Sequence, residues 1–426
     1  MSLRILFYAN AMPSFFAPAL PGPSYVTGGW ITGALETLAE ESELTLGCAF
    51  PLPKDAPPLA GEYRGLSYFG IPMEAAFSLT PDPDAKKGFS RVLSAFLPDV
   101  IQLWGTESAS ALPLMEALKE AGLAHRAVIH IQGPCGEIAR AYEAGLPKRV
   151  VNRWTLRDLL RQDNIACQRE QYIRRGENEG RLLRSVSHVM GRTDFDRAAS
   201  LKLNPNLRYH HCNENLRPGF YEAQWDPRHA RPHSIFFSQG NYPLKGLHFL
   251  LEALPDLIQR YPDLTLTLAG GDPTRSNEGL KGRLLIGSYG AYLRQLLKKH
   301  RLQNRVRFLG TLNEEKMIEA YRSAALYVSG SALENSPNSL GEAMLLGMPL
   351  VATAVGGVPS MVSEKEARLV PYGDVPALVS AISAAFDDRE ETDRLRLAAE
   401  KRAAATHDRA ANRARLLAIY REIANT

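Results

Sequence analysis

The chain has 426 residues, 45% of them hydrophobic and 23% charged, and a formal net charge of +4. That length suits two domains of about 200 residues each, and the composition excludes a disordered chain or a disulfide scaffold. A net charge this small does not call for nucleic acid, so any basic patch has to be argued locally. In chain order, short apolar runs bounded by turn residues predict strands at Arg4–Tyr8, Glu43–Cys48, Val100–Trp104 and Ala127–Ile131. After a Pro- and Gly-punctuated stretch they resume at Ser234–Ser238, Leu264–Ala269, Val306–Leu309, Ala325–Ser329 and Pro349–Ala352. Helical spacing lies between them, at Ile31–Ala39, Leu247–Gln259 (with Pro255 a possible kink), Ala291–Lys299 and Glu314–Arg322.

Strands alternating with helices imply parallel sheets, here in two runs. The expected fold class is therefore α/β, with two doubly wound domains. Leu216 to His233 lacks either period and carries Pro218, Gly219, Pro227 and Pro232, which makes it the expected connection. The expected domains are residues 1–215, a linker at 216–233, and residues 234–405, with a last helix at 406–426 crossing back to the first domain. Cys48, Cys135, Cys167 and Cys212 are widely spaced, with no C-x-x-C pair. That pattern fits a reducing cytoplasm. Met1–Tyr8 enters a strand directly, without a signal-peptide pattern. The apolar stretch from Ala343 to Pro359 is broken by Gly347, Pro349, Gly356 and Gly357, and so does not read as a membrane span.

In doubly wound sheets ligands bind beyond the carboxyl ends of the strands. The first signal there is Glu334-Asn335-Ser336-Pro337-Asn338-Ser339-Leu340-Gly341-Glu342, two carboxylates with seven residues between them across a strand-to-helix junction. The helix is expected to start near Pro337 and stop at Gly347. The N–H groups of Asn338 and Ser339 at its start suit a phosphate, and the flanking carboxylates suit sugar and ribose hydroxyls. The second signal is Ser238–Gly246, which places Lys245 at a helix start, where an anion would offset its repulsion from the dipole. Gly240 and Gly246 allow close backbone approach. The third is Thr27-Gly28-Gly29-Trp30, which does not complete a G-x-G-x-x-G pattern and so argues against a dehydrogenase. The fourth is His130-Ile131-Gln132-Gly133-Pro134 at a strand end, where polar side chains of His130 and Gln132 reach the cleft edge. Gly191-Arg192-Thr193-Asp194 and His211-Cys212-Asn213-Glu214 are polar segments given no role. Asp82-Pro83-Asp84 has D-x-D spacing but no strand before it, and reads as a polar loop rather than a metal site.

Together these segments resemble glycosyltransferase family 4, which has the GT-B fold: two Rossmann-like domains facing each other across a cleft. The likeness covers nearly the whole chain and is densest from Ser238 to Pro359. Glu334 and Glu342 match the family's glutamate pair, and Gly347-Met348-Pro349 and Gly356-Gly357-Val358-Pro359 continue its signature. The resemblance implies a retaining enzyme that needs no metal and no cofactor, with a nucleoside-diphosphate sugar as donor and a glycan or lipid-linked acceptor. Glu334, Lys245 and Gln132 would serve the reaction. Glu334 would hold the donor sugar and Glu342 the ribose, Asn338 and Ser339 would hold the distal phosphate, and the loop Gly310-Thr311-Leu312-Asn313 would border the base. Gly28, Gly29, Gly240, Asn241, Leu312 and Leu340 complete the expected donor-binding set. Asn241 stands where the family commonly has Arg, which shifts phosphate binding toward Lys245, and Pro337 stands where glycine is frequent. The alternatives are an epimerase of the same fold and a non-catalytic nucleotide-sugar-binding protein. Arg149, Arg153, Arg157 and Arg161, spaced four apart as on one helix face, are followed by Arg169, Arg174, Arg175, Arg181 and Arg184. They raise the possibility of peripheral contact with an anionic membrane on its cytoplasmic face.

Overall fold

The computed structural model describes residues 2–20, 29–74, 78–275 and 278–426. Among the described residues the chain forms two compact units. The first comprises Met1–Glu137, Gln171–Asn215 and His407–Thr426; the second comprises Ile138–Glu170 and Leu216–Thr406.

The first unit contains β1 (Leu3–Tyr8), β2 (Leu44–Pro53), β3 (Leu59–Tyr63), β4 (Leu66–Met73), β5 (Val100–Trp104), β6 (Ala127–His130), β7 (His188–Gly191) and β8 (Arg208–His211). They form one sheet in the order β3-β4-β2-β1-β5-β6-β7-β8, parallel except for the β3–β4 pair. The central strands are apolar without alternation, because helices cover both faces: every residue of β5 is buried. The last helix, Arg409–Ala424, belongs to this unit. Its Leu417, Ile419, Tyr420 and Ile423 pack with Ile5, Phe7 and Phe50, and Tyr420 donates a hydrogen bond to buried Gln102.

The second unit contains β9 (Arg231–Phe237), β10 (Thr265–Leu268), β11 (Val306–Phe308), β12 (Ala324–Ser329), β13 (Leu350–Thr353) and β14 (Arg368–Val370). All are parallel, in the order β11-β10-β9-β12-β13-β14. The order reverses between β9 and β12, so the loops after these neighbours border the crevice where such sheets bind ligands. The helix Leu247–Arg260 continues through Pro255.

Three features depart from the sequence reading. The expected linker belongs to the second unit: Phe220 and Trp225 are in its core, and the Trp225 indole donates to Ala324 O at 2.7 Å. Ile138–Glu170 also group with the second unit, not with the rest of residues 1–215. The Ala144 carbonyl accepts from His248 Nε2 at 2.9 Å and from the Tyr372 hydroxyl at 2.6 Å, while Asp158 accepts the Ser288 N–H at 3.0 Å. The four arginines are not on one helix face. The helix Lys148–Val151 stops at Asn152, and Thr155 caps a new helix, Leu156–Arg161, with Asp158 closing the reciprocal capping box. Arg157 turns to Asp158 and Asp163 at 3.0 and 2.9 Å. Arg174 to Arg184 lie in the first unit.

Candidate functional site

In the second unit the loops after β9 and β12 are fastened together. Ala332 N–H donates to Leu244 O at 2.7 Å, and Lys245 Nζ donates to Glu334 Oε1 at 2.6 Å. Gly246 has φ of +70°, and a Cβ there would lie 1.8 Å from Gly330 O, so only glycine lets the loops meet. Ser331 Oγ donates to the same Glu334 oxygen at 2.6 Å, while Gly357 N–H holds the Glu334 carbonyl at 2.9 Å. The Gly356-Gly357 turn after β13 thus fixes the Glu334 loop from behind. Burial alone would push the Lys245 ammonium down, but the adjacent Glu334 carboxylate outweighs it, so Lys245 stays charged well above its usual range. The ammonium also lies 5.6 Å from the Tyr242 ring centre.

The helix Asn338–Leu345 follows Pro337, which occupies its N-cap. Ser339 is held at its backbone and its side chain: the Tyr321 hydroxyl donates to its carbonyl and the Tyr327 hydroxyl to its Oγ, each at 2.9 Å. Leu340 is fully buried and its N–H bonds to Pro337 O at 3.0 Å. Glu342, one turn further on, is buried and paired side-on with Arg217: Nε to Oε1 at 2.7 Å and Nη2 to Oε2 at 2.8 Å. Burial raises the Glu342 carboxyl above the usual range, against the opposing pull of Arg217. Gly240 packs against Leu247 and Leu268, Asn241 is exposed, and Leu312 packs on the core beside the Gly310 turn. Gly28 lies outside the described residues, and Gly29 opens the helix Gly29–Ala39.

In the first unit, three strand ends meet. Gln132 follows β6, Arg192 follows β7 and Glu214 lies three residues past β8. Gln132 Nε2 donates to one Glu214 oxygen at 2.8 Å and Arg192 Nη1 to the other at 2.8 Å. Burial would raise the Glu214 carboxyl, but Arg192, His130 and Gln132 hold it below its usual value. Burial lowers His130, so it is neutral near pH 7, and its Nε2 lies 3.4 Å from Glu214. The two polar segments that sequence reasoning left without a role therefore supply the surroundings of Gln132. Arg217 was missed altogether, since it stands 125 residues from Glu342. Asp82 is a structural residue, accepting the N–H groups of Glu74 and Asp84 at 3.0 Å each. Among the described residues no group of three or more His, Cys, Asp or Glu is placed to hold a metal ion.

Residues 223–402, which contain the Lys245–Glu334 pair and Glu342, match the family model of glycosyl transferases group 1. The likeness to that family is carried by this segment, less than half of the chain. The chain is 32% identical over 150 residues to the D-inositol 3-phosphate glycosyltransferase of Corynebacterium urealyticum, a match covering 35% of this chain and 33% of the relative. The chain thus spans about a third of the length of that curated relative, and 37% of a second from Corynebacterium efficiens. Over its whole length the chain is similar in fold to the sucrose-phosphate synthase of Thermosynechococcus elongatus, with a TM-score of 0.69 at 17% identity and 99% of each chain covered. It is also similar to Anabaena Alr3699/HepE, solved in complex with UDP and glucose, with a TM-score of 0.64 at 18% identity, covering 99% of this chain and 100% of that one. The two parallel-sheet units are those of the GT-B fold. Among the described residues no helix is long and apolar enough to cross a membrane.

Proposed function

We propose that this chain is a retaining glycosyltransferase that moves a sugar from a nucleoside-diphosphate sugar to a glycan or lipid-linked acceptor without a metal ion. The observation that carries the reading is the Lys245–Glu334 pair, set beside the start of the helix Asn338–Leu345 at the switch point between β9 and β12. The ligands named in the solved complex of the Anabaena relative, UDP and glucose, agree with it. Four free cysteines, three of them buried, suit a cytoplasmic setting.

Cleavage of the donor develops negative charge on the leaving diphosphate, and groups that bind that charge better than the ground state accelerate the step. An ammonium has three donors, and Lys245 spends one on Glu334. The others serve the phosphate, with the helix N-terminus adding its partial positive charge. Glu334 takes its hydrogen bonds from Lys245 and Ser331 on Oε1, among the described residues, which orients the carboxylate toward sugar hydroxyls. Glu342 receives the ribose hydroxyls. The acceptor attacks from the face that the phosphate leaves, and the departing phosphate takes its proton.

The test is calorimetry and product detection with UDP-, GDP- and ADP-sugars in the presence of EDTA, using the full chain, Lys245→Ala and Glu334→Ala. A charge-assisted hydrogen bond contributes roughly 1.5–3 kcal/mol, so Lys245→Ala should slow turnover about tenfold to a few hundredfold. No binding of any nucleotide sugar, with or without added Mg²⁺, would refute the reading.

A further inference from the structure

The helix Leu156–Arg161 is inside out. A helix on a soluble protein turns its apolar stripe to the core and its charges to water. Here Asp158 is the residue that faces inward, 1% exposed, its carboxylate accepting from the Ser288 N–H and the Thr155 N–H. Leu156, Leu159 and Leu160 face outward, Leu160 with 74% of its surface exposed, and Trp154 joins them just before the helix. The helix Gly279–Leu284 repeats the arrangement. Its buried residue is Gly282, while Leu280, 73% exposed, and Leu284 face outward. Of the eight exposed large hydrophobic residues among those described, six lie on these two segments.

The two segments are neighbours within the second unit. Ser288 Oγ donates to Arg153 O at 2.8 Å, and Asp158 holds the Ser288 N–H. Only three residues separate Leu284 from Ser288, so their Cα atoms lie at most about 14 Å apart. The exposed charges bordering the leucines are the cations Arg149, Arg153, Arg161, Lys281 and Arg283, and one acid, Glu278. The acids nearby are engaged: Asp158 is buried, Asp163 is paired with Arg157, and Glu278 with Arg275.

We infer that this face of the second unit docks on an anionic bilayer, with Trp154, Leu156, Leu159, Leu160, Leu280 and Leu284 entering the headgroup region beneath a rim of cations. Short amphipathic helices with basic borders partition in this way, gaining from apolar burial and from attraction to acidic lipids together. The charge pattern selects this occupant. A second copy of the chain on a two-fold axis would set the same five cations against themselves. The surface goes beyond the transfer reaction and stands independently of it.

The experiment is co-sedimentation of the full chain with vesicles of phosphatidylcholine alone and of phosphatidylcholine mixed with phosphatidylglycerol. The variants are Leu159→Asp with Leu160→Asp, and Arg153→Ala with Arg161→Ala. All four side chains are exposed, so thermal melting should stay unchanged and will report any fold defect directly. The full chain should bind the mixed vesicles and not the neutral ones. Each cation at such a surface is worth about fivefold, so losing Arg153 and Arg161 should weaken binding about 25-fold, and the leucine pair should abolish it. Raised salt should weaken binding without eliminating it, since the apolar part is not screened. Absent binding to the mixed vesicles, or equal binding by all variants, overturns the inference. So does sedimentation velocity that finds a dimer dispersed by the leucine pair. Donor binding measured by calorimetry on the same preparations separates failure of this inference from failure of the transfer reading.

Discussion

Removing the Arg217 side chain gives the sharpest test of how the second unit is held together. Glu342 is buried, and Arg217 supplies both of its close hydrogen bonds, at 2.7 and 2.8 Å. Breaking a buried ion pair from one side costs about 3–5 kcal/mol, mostly because the remaining charge is left without a partner. The guanidinium is 34% exposed, so water recovers part of that, and we take about 3 kcal/mol. For a unit of this size that lowers the melting temperature by about 6–12 °C. Arg217→Met should show this drop by circular dichroism. Arg217→Met combined with Glu342→Gln should recover most of it, because no unpaired charge then remains and Tyr321 can still bond the amide. A single variant melting within about 2 °C of the parent, or a double variant no better than the single, would refute the account.

His248 predicts a pH dependence in the second unit. Burial lowers its pKa from the usual value to about 4, against the Ala144 hydrogen bond, so the folded state keeps it neutral. A depressed histidine pKa gives stability that is full above pH 6.5 and is lost as pH falls toward 4, by up to about 3 kcal/mol. His248→Phe should flatten the stability curve in that window relative to the parent, and identical slopes would exclude the assignment. Gly246→Ala should leave little soluble protein, or cost more than about 4 kcal/mol, since its Cβ would strike the Gly330 carbonyl. Gly33→Ala, in a helix with nothing within 4 Å of the new methyl, should be neutral or better, and measuring both by soluble yield and melting tests the contrast.

The central strands were legible because a parallel sheet covered on both faces writes itself as an apolar run, as in Val100–Trp104 and Ala324–Ser329. The edges were not. β4 is interrupted by Gly70 and Pro72, β8 reads Arg-Tyr-His-His, and β14 has three residues. The same split governs the site. Glu334, Glu342 and Lys245 stand at fixed spacings around local strand-to-helix junctions, which sequence displays. Arg217 reaches Glu342 across 125 residues, and Gln132, Arg192 and Glu214 converge only because β6, β7 and β8 lie side by side. The arginine series misled because periodicity alone does not register a cap: Thr155 and Asp158 start a new helix in its middle.

The chain passes from one unit to the other at 137/138, 170/171, 215/216 and 406/407. This threading sets an order of events at the ribosome. Every part of the second unit has emerged before the first unit receives its last helix. At about 5–20 residues per second, Leu216 to Thr406 take roughly ten to forty seconds to synthesise. Throughout that interval Ile5, Phe7 and Phe50 lack Ile419, Tyr420 and Ile423. The half of the molecule made first is thus the half finished last, with part of its apolar core unfilled until the final helix arrives.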